Sequence, residues 1–511
     1  MSRKRKPFLI AAFIGVLGLS AAQANVTFAP NWKSLQQYKC PEWFRDAKLG
    51  IFMHWGVNTV PAYDGHYGRY MYIQDPNGVK ATHQSVYEYH VKTYGHPSKF
   101  GYKDFIPMWK AEKWDPDALV HFYKQIGARY IVPVAVHCDN FDNYDSTYQS
   151  WNSVNMGPKR DIIGQWKQAA ERHGLRFGVS SHLGEWAHVW YARASDTSGP
   201  LKGVPYDVTD PNYAGLYGDR GDDRTKLQAG FKENWFLRTK ELVDKYQPDL
   251  LYFDSGLPYE NPYGLRIAAH FYNANSAWHN GRLEAVLNVK RKFAEGAVVH
   301  DIEKGQAKEL RDLPWQTDTT INSGWFYQTR KYGHGHEMPS GFYLDETVLI
   351  DKLVDIVSKN GNLLLNVGLR ADGTLPDDQR YILQEMGDWL VLNGEAIFDT
   401  RPWIKYGEGP TQNETGYNTE PRTPWDKRDI RFTTKGKTLY TIALDWPGEK
   451  AFTVTSLSDR QPALGPIQSV QLLGHEGTLK WRRNAEGLTI QLPKRRPCKY
   501  AYVFKIVPTQ Q

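Results

Sequence analysis

A short apolar strand that ends in a carboxylate is the feature of this 511-residue chain that most restricts its fold. Leu250–Phe253 is an uninterrupted apolar run, which predicts a strand buried on both faces, as in a parallel sheet covered by helices. The run stops at Asp254, which is followed by Ser255 and Gly256. At the carboxyl end of such a strand, rigid backbone aims a side chain at a cleft, so Asp254 is a candidate catalytic acid. The alternative from these residues alone is that Asp254 caps a helix or opens a turn.

Other short apolar runs continue this pattern along the chain. The further predicted strands are Leu49–Met53, Tyr130–Val136, Arg176–Ser180, Ala285–Asn288, Ala297–Val299, Trp315–Ile321 and Asn362–Gly368. Helical spacing is found at Trp114–Ile126, Ile162–Arg172, Glu233–Lys245, Asp345–Lys359 and Gln379–Leu392. This alternation predicts an α/β fold, a (β/α)₈-like barrel, with irregularity after the middle strands, where helix signals are weak. The polar residues at the predicted strand ends are His54, His137, His182, Asp254, Asn288, Glu303 and Asn366.

The character of the sequence changes at about Trp403. Short alternating runs separated by Gly, Pro and Thr predict a C-terminal antiparallel β-sandwich over residues 403–511, after a catalytic barrel over residues 25–402. The runs are Thr438–Ala443, Val470–Leu473, Leu488–Leu492 and Tyr500–Ile506.

The N-terminus predicts an exported protein. Basic Arg3–Lys6, apolar Phe8–Leu19 and the small residues of Ala22–Ala24 form the pattern of a secretory signal peptide, residues 1–24, removed after Ala24. No later stretch approaches the ~18 apolar residues of a membrane span, so we expect no membrane attachment after cleavage and a periplasmic or extracellular location. The formal charge of +7 is modest and not gathered into one long block, which argues against a nucleic-acid partner.

Two acids at strand ends suit glycoside hydrolysis, in which one carboxylate attacks or assists and the other protonates the leaving oxygen. With Asp254 as the first acid, Glu303 is the second candidate because it lies just past a predicted strand. Asp301 and Glu309 are its competitors. The alternative for Glu303 is an exposed loop acid paired with Lys304.

Two of the strand-end histidines suit a sugar site. His54 and His137 can hydrogen-bond sugar hydroxyls, while Trp55 offers an aromatic face for stacking. A metal centre built from His54, His137, Asp139 and His182 is the alternative. Its spacing matches no established metal signature, so we predict neither a metal nor another cofactor.

Seven segments carry a resemblance to a known family. They are Trp43–Gly56, His137–Asp142, Trp151–Asp161, Leu250–Asp254, Pro314–Asp318, Asn360–Gly368 and Asn393–Phe398. Together they resemble the α-L-fucosidases of glycoside hydrolase family 29, in the family's order and over nearly the whole mature chain. The resemblance implies a (β/α)₈-like barrel followed by a β-sandwich and an exo-acting, retaining hydrolysis of terminal α-L-fucose on fucosylated oligosaccharides or glycoconjugates.

The same resemblance assigns roles to residues. It implies that Asp254 is the nucleophile of a covalent glycosyl-enzyme and that Glu303 is the acid/base. It also implies that His54 and His137 bind the sugar. The predicted substrate-binding residues are His54, Trp55, His66, Tyr67, His137, Cys138, His182, Tyr252, Lys290 and Trp325.

The chain departs from the family pattern at two places. Cys138 stands where the family usually has a second histidine, and Gly65 and His66 stand where many members have an acid and a tryptophan. A thiol is a poorer hydrogen-bond partner for a hydroxyl. The departures leave two alternatives open: the same mechanism on an α-L-galactoside or a modified fucose, or a catalytically weakened sugar-binding homologue.

Overall fold

The computed structural model of the chain describes residues 26–75, 81–184, 187–218, 227, 229–322, 324–329, 344–419 and 425–509. The predicted signal peptide, residues 1–24, lies outside the described residues, so its removal stays a prediction. Across the described ranges, every helix is too short or too polar to cross a bilayer.

Eight parallel strands close into a barrel, which confirms the predicted α/β fold class. The first strand pairs with both the second and the last, with Ile51 beside Ile131 on one side and beside Leu365 on the other. The strands are β1 (Leu49–Met53), β2 (Tyr130–Val136), β3 (Arg176–Ser181), β4 (Leu250–Phe253), β5 (Val286–Val289), β6 (Val299–Asp301), β7 (Trp315–Thr320) and β8 (Gly361–Asn366). Parallel strands put all their carboxyl ends at one mouth of the barrel, so the polar strand-end residues meet there.

The helices lie outside the barrel or, where they are short, in the loops at its mouth. They are α1 (Trp32–Leu35), α2 (Glu42–Ala47), α3 (Tyr67–Tyr70), α4 (Ala81–Thr93), α5 (Pro116–Gln125), α6 (Ile162–His173), α7 (Ala187–Trp190), α8 (Ala214–Tyr217), α9 (Phe231–Tyr246), α10 (Leu265–Trp278), α11 (Glu346–Ser358) and α12 (Asp377–Asn393). The β5–β6 and β6–β7 connections, residues 290–298 and 302–314, are both fully described and contain no helix. The predicted irregularity is thus confirmed, and it falls in the two connections that carry Lys290 and Glu303.

Local sequence signals set the ends of the predicted helices. Asp161 accepts a hydrogen bond from the Gly164 amide at 2.9 Å and begins α6, and Gly174 ends it with a φ of 68°. Helix α10 was not predicted, because no side chain caps its start and Asn273 and Asn275 are weak helix formers. Burial of its apolar face, including Phe271, compensates for that weakness.

The C-terminal region forms two antiparallel sheets, with strand orders β13-β16-β11-β10-β9 and β12-β15-β14. Their strands are β9 (Arg401–Glu408), β10 (Ile430–Lys435), β11 (Thr438–Ala443), β12 (Ala451–Val454), β13 (Ile467–Leu472), β14 (Trp481–Asn484), β15 (Gly487–Gln491) and β16 (Tyr502–Pro508). Phe432 and Phe504 of the larger sheet share one buried apolar core with Val454 and Ile490 of the smaller sheet. This packing is that of a β-sandwich. The predicted domain boundary between residues 402 and 403 stays a prediction.

A buried ion cluster joins this C-terminal unit to the barrel. Arg431 of β10 donates to Asp355 of α11 at 2.6 Å, and Lys359 donates to the other oxygen of the same carboxylate at 2.8 Å. Burial works against the charge of Asp355, yet Lys359 and Arg431 outweigh it and hold the pKa of that carboxyl below its usual value. Asp355 is therefore kept ionised between two buried basic side chains, each of which it bonds directly.

We expect Asp355→Ala to lower the free energy of unfolding by about 3–5 kcal/mol, because it leaves Arg431 and Lys359 buried without their counter-ion. Urea denaturation measures the loss. Asp145→Ala is the matched control, since Asp145 pairs with Lys245 at the exposed surface and such pairs contribute about 1 kcal/mol or less. Equal losses in the two variants would mean that the buried cluster does not stabilise the junction.

Candidate active site

Asp254 directly follows β4, whose four residues are all buried. The Asp254 side chain is 31% exposed, so it opens onto a cleft at the barrel mouth. Its carboxylate accepts a hydrogen bond from Lys290 at 2.6 Å and lies 3.2 Å from Nδ1 of His182. The next helical turn begins only at Glu260, with Tyr259 at its cap position. The geometry therefore favours a site carboxylate over a helix cap.

Lys290, just after β5, links the acids of the site. Its buried ammonium group donates to Oδ1 of Asp254 at 2.6 Å and to Oε2 of Glu303 at 2.9 Å. Two oxygens bonded to one atom cannot lie farther apart than those two distances combined. This limit holds for the two bonded oxygens. Oxygens this close agree with the ~5–5.5 Å spacing of the carboxyl groups in retaining glycosidases better than with the ~6.5–9.5 Å spacing in inverting ones.

The surroundings shift the pKa values of Asp254 and Glu303 in opposite directions. Burial disfavours the charge of Asp254, but Lys290 and His182 outweigh it and hold the pKa of that carboxyl well below its usual value. Burial raises the pKa of Glu303, and the negative charges of Asp318 and Asp254 reinforce this effect against the opposing charge of Lys290. One carboxylate is thus kept ionised while the other favours its proton, which is the division required of a nucleophile and an acid.

A second acidic layer lies beneath this pair. The Tyr252 hydroxyl donates to Asp318 at 2.9 Å and lies 3.3 Å from Asp301, and Gln316 donates to Asp301 at 2.8 Å. Burial and the neighbouring Asp318 raise the pKa of Asp301 well above its usual value. Asp301 is fully buried in the barrel and cannot reach a leaving group in the cleft.

Glu303 is the better placed of the three candidate second acids. Its side chain is 26% exposed and shares Lys290 with Asp254, whereas Glu309 is exposed on the protein surface. The geometry therefore favours Glu303 over both Asp301 and Glu309. Its bond to the buried Lys290 and its partial exposure distinguish it from the exposed loop acid of the alternative.

Asp318 provides a test of this charge arrangement. Its carboxylate lies 3.4 Å from the Lys290 ammonium group and raises the pKa of Glu303. In Asp318→Asn that negative charge is lost, so the pKa of Glu303 should fall. A general acid works only while protonated. We therefore expect the alkaline limb of the pH profile of kcat/KM for an aryl glycoside to move to lower pH.

The control for this prediction is Asp312→Asn, since Asp312 is exposed on the same β6–β7 connection. Its alkaline limb should match that of the unmodified protein. An Asp318→Asn profile with an unmoved or raised limb would show that Asp318 does not hold the proton on Glu303.

Three buried histidines face one another beside Asp254. The His54 ring centroid lies 4.8 Å from that of His182 and 6.0 Å from that of His137, and His137 stacks on His182 at 5.0 Å. Burial, together with His182 and His137, holds the pKa of His54 well below its usual value, so the ring is neutral. Its Nδ1 lies 2.8 Å from the amide oxygen of Asn366, which only accepts, so Nδ1 carries the hydrogen.

The same histidines are the residues that could hold a metal ion. One nitrogen from each of His54, His137 and His182 lies within 4.8 Å of the others. Both nitrogens of His182 are already engaged, one with Asp254 at 3.2 Å and the other with Ser180 at 3.0 Å. A cation here would have to take His182 away from one of these partners, and the prediction of a site without metal stays a prediction.

Asp139, the fourth residue of the metal alternative, is held elsewhere. It accepts a hydrogen bond from the Tyr102 hydroxyl at 2.6 Å, and burial raises its pKa to about 6.

Aromatic residues complete the walls of the cleft. The Trp325 ring lies 5.0 Å from the His54 ring and 5.8 Å from the Lys290 ammonium group. The His66 ring lies 6.0 Å from the His137 ring. Cys138 is turned away from the histidines: its thiol bonds the backbone carbonyl of His182 at 3.1 Å, and it lines a neighbouring cavity. Trp325 and His66 therefore lie with the histidines, whereas Cys138 directs its sulfur to one side.

The structure places three of the predicted substrate-binding residues away from the open cleft. Trp55 packs on Trp109 with its indole nitrogen bonded to the Arg370 carbonyl at 2.8 Å, so it offers no stacking face in the cleft. Tyr67 is fully buried, with its hydroxyl 2.9 Å from Nδ1 of His90. Tyr252 lies under the site and bonds its acids rather than the open cleft.

Two residues at the site were not predicted. Asp318 lies inside a predicted strand, where the run Gln316–Thr320 is unusually polar for a buried strand, and this polarity is the signal that could have identified it. Phe326 places its ring 5.0 Å from the His137 ring. Its only signal is its position next to Trp325.

Comparison with known proteins gives consistent matches over nearly the whole chain. The family model Alpha-L-fucosidase matches residues 16–395, and the model Alpha-L-fucosidase C-terminal domain matches residues 425–507. The alpha-L-fucosidase of Branchiostoma floridae is 28% identical over 96% of this chain and 98% of that protein. The human plasma alpha-L-fucosidase is 29% identical over 95% of this chain and 93% of that protein.

A solved structure shows the same architecture. The crystal structure of Thermotoga maritima alpha-fucosidase in complex with fucose superposes with a TM-score of 0.70 at 28% identity, and covers 94% of this chain and 100% of that one.

Proposed function

The chain belongs to the alpha-L-fucosidase family, and we propose that it releases terminal α-L-fucose from fucosylated oligosaccharides or glycoconjugates with retention of configuration. Asp254 is the nucleophile and Glu303 the general acid and base. The observation that carries this proposal is the single Lys290 ammonium group bonded to both carboxylates, which brings one oxygen of each close together and supports the short spacing of retaining enzymes.

The reaction takes two displacements. A carboxylate oxygen of Asp254 attacks the anomeric carbon, and Glu303 gives its proton to the glycosidic oxygen as the bond to the leaving group breaks. Glu303, now ionised, then takes a proton from water, which attacks the anomeric carbon and returns Asp254 to its carboxylate form. Two inversions at one carbon give net retention.

Charge in the site supports this order of events. Lys290 and His182 keep Asp254 ionised before substrate enters, so the nucleophile needs no base. The raised pKa of Glu303 keeps a proton on the acid. When Asp254 becomes an ester it loses its negative charge. The pKa of Glu303 then falls, which suits its change from acid to base.

The sugar pocket is assigned to the aromatic cluster beside Asp254. His54 is neutral with hydrogen on Nδ1, so its Nε2 can accept a hydrogen bond from a sugar hydroxyl. The Trp325 and Phe326 rings, 5.0 and 5.6 Å from the His54 ring, provide apolar faces for the C–H groups of the sugar. His137, His182 and Lys290 complete the proposed contacts.

Proton NMR of a panel of aryl glycosides tests the proposal. The panel contains the α-L-fucoside, β-L-arabinoside, β-D-galactoside and α-L-galactoside. We expect cleavage of the α-L-fucoside, with α-L-fucose as the first sugar detected before mutarotation. β-L-Fucose as the first product would refute retention. Sugar binding without cleavage of any compound would point instead to a weakened sugar-binding homologue.

A second candidate glycone is supported by the orientation of Cys138. Its thiol bonds the His182 carbonyl and faces a cavity lined also by Leu183 and Tyr191. A position usually held by a histidine thus gives no imidazole to the sugar. An α-L-galactoside or a modified fucose, which carries a larger or more polar substituent, is therefore the alternative. Preferential cleavage of the α-L-galactoside in the panel would select it.

Export is part of the proposal and rests on the N-terminal sequence. The basic, apolar and small-residue segments of residues 1–24 predict secretion to the periplasm or the medium, where free glycans are accessible. N-terminal sequencing of the mature protein tests this, with Asn25 expected as the first residue.

A further inference from the structure

The connection between β9 and β10 of the C-terminal unit reaches the barrel at Glu303. Within it, residues 414–418 (the 414–418 loop) run beside the chain segment that follows β6. The Asn418 amide donates to the Glu303 carbonyl at 2.8 Å, and the Gly416 amide donates to the Gln306 carbonyl at 3.0 Å. The Gln306 side chain donates in return to the Glu414 carbonyl at 2.8 Å. The backbone that carries the proposed acid is therefore bonded to a different structural unit.

Tyr417 extends this contact to Lys290. Its hydroxyl donates to the Lys290 carbonyl and lies 2.5 Å from Nε2 of His300, whose Nδ1 lies 2.9 Å from a guanidinium nitrogen of Arg311. Arginine only donates, so Nδ1 of His300 is the acceptor and Nε2 carries the hydrogen given to Tyr417. Burial and Arg311 lower the pKa of His300 to about 4, in keeping with a neutral ring. Each donor in this series of hydrogen bonds, from Arg311 through His300 and Tyr417 to the Lys290 carbonyl, therefore faces an acceptor.

Strand β7 holds the same segment from the other side. The Lys304 amide donates to the Asp318 carbonyl at 2.8 Å, and the Thr317 hydroxyl donates to the Ile302 carbonyl at 2.6 Å. Contact with the 414–418 loop is so close that a Cβ atom on Gly305 would lie 1.8 Å from the Gly416 carbonyl oxygen. Only glycine fits at this point, so residues 302–306 are confined between β7 and the 414–418 loop.

We infer that the 414–418 loop is a positioning element for the leaving-group side of the site, in which Tyr417 and Asn418 fix the backbones of Lys290 and Glu303. This inference rests on the proposed acid/base role of Glu303. Two consecutive residues of one loop bond the two residues whose side chains pair with each other, so the loop sets how far the Glu303 carboxyl reaches toward the glycosidic oxygen. A displacement of about 1 Å in a reacting group can cost about 10²-fold in rate.

The test compares aryl α-L-fucosides whose phenol leaving groups range from good to poor. A poor leaving group needs the proton of Glu303, whereas a good one departs without it. We expect Tyr417→Phe to lower kcat/KM by about tenfold for the poorest leaving group and by less than about threefold for the best. The variant loses the hydrogen bond from the Tyr417 hydroxyl to the Lys290 carbonyl. Gly305→Ala, which pushes the loop away, should show a larger difference of about 10²-fold for the poorest leaving group.

Three further measurements make the result decisive. Tyr148→Phe changes an equally exposed tyrosine on the β2–β3 connection and should follow the unmodified enzyme throughout. Thermal melting shows whether each variant is folded. Glu303→Ala, in the same series, shows the dependence on leaving group expected when the acid itself is missing.

The outcomes separate this inference from the proposed function. If Glu303→Ala loses activity equally on all leaving groups, the acid role of Glu303 is wrong. If Glu303→Ala shows the expected dependence but folded Tyr417→Phe and Gly305→Ala lose activity equally on all leaving groups, or lose none, the positioning role of the 414–418 loop is overturned.

Discussion

Asp254→Ala is expected to lower kcat/KM for an aryl α-L-fucoside by at least about 10⁴-fold, and added azide is expected to restore turnover. The carboxylate that bonds to the anomeric carbon is gone, so no glycosyl-enzyme forms. Alanine leaves a space at the cleft, next to Lys290 and His182, both of which contacted the lost carboxylate. An azide anion in that space can attack from the same side while Glu303 still protonates the leaving group.

The product identifies the role of the residue. Azide replaces Asp254 in a single displacement, so the rescued reaction should give β-L-fucosyl azide, with inverted configuration, as read by proton NMR. Asp388→Ala, on the outer face of α12, is the control and should retain full activity because Asp388 is exposed and distant from the barrel mouth. Rescue that yields the α-azide would assign Asp254 a role other than nucleophile.

The strand that carries Asp254 was predicted to the residue because its signal is local. Four consecutive apolar residues followed by an acid and a glycine define both the strand and its end, and the structure places β4 at the same bounds. The contact between Asp254 and Lys290 had no such signal. It depends on β4 and β5 lying side by side in the closed barrel, and pairing between strands is a property of the whole fold.

Side-chain direction explains why Trp55 and Tyr67 lie away from the cleft. Each follows a histidine of the cleft, and both members of each pair were assigned to the sugar. Successive residues at a strand end point to opposite sides, so His54 and Trp55 could not both face the cleft. His66 and Tyr67 stand at the start of the short helix α3, where adjacent residues also diverge, and Tyr67 turns to His90.

The choice among Asp301, Glu303 and Glu309 needed burial, which spacing does not supply. Asp301 ends the short strand β6, and Glu303 and Glu309 follow it. The first is enclosed in the barrel, the second opens onto the cleft and the third is on the surface. The contact of the 414–418 loop with Glu303 lies beyond sequence reasoning for another reason. It joins segments more than a hundred residues apart through backbone groups, which every residue carries.

Glu303→Ala is expected to divide substrates by their leaving groups. For an alkyl or sugar leaving group, kcat/KM should fall by about 10²–10⁴-fold, because the glycosidic oxygen must depart without a proton. For a dinitrophenyl leaving group kcat/KM should stay near that of the unmodified enzyme. There kcat should fall instead, because the fucosyl-enzyme forms but no base activates water for its hydrolysis. Steady-state kinetics on both substrates measures the contrast.

Azide also identifies the role of Glu303, because its product should have the opposite anomeric configuration to the product from Asp254→Ala. It needs no base and can attack the fucosyl-enzyme on Asp254, so Glu303→Ala should regain kcat on the dinitrophenyl substrate and release α-L-fucosyl azide. The alkaline limb of kcat/KM should also disappear, since the raised pKa of Glu303 is its source. Glu309→Ala, at an exposed acid six positions along the same connection, is the control and should change neither property. A persistent alkaline limb in Glu303→Ala, or a β-azide product, would move the acid/base role to another residue.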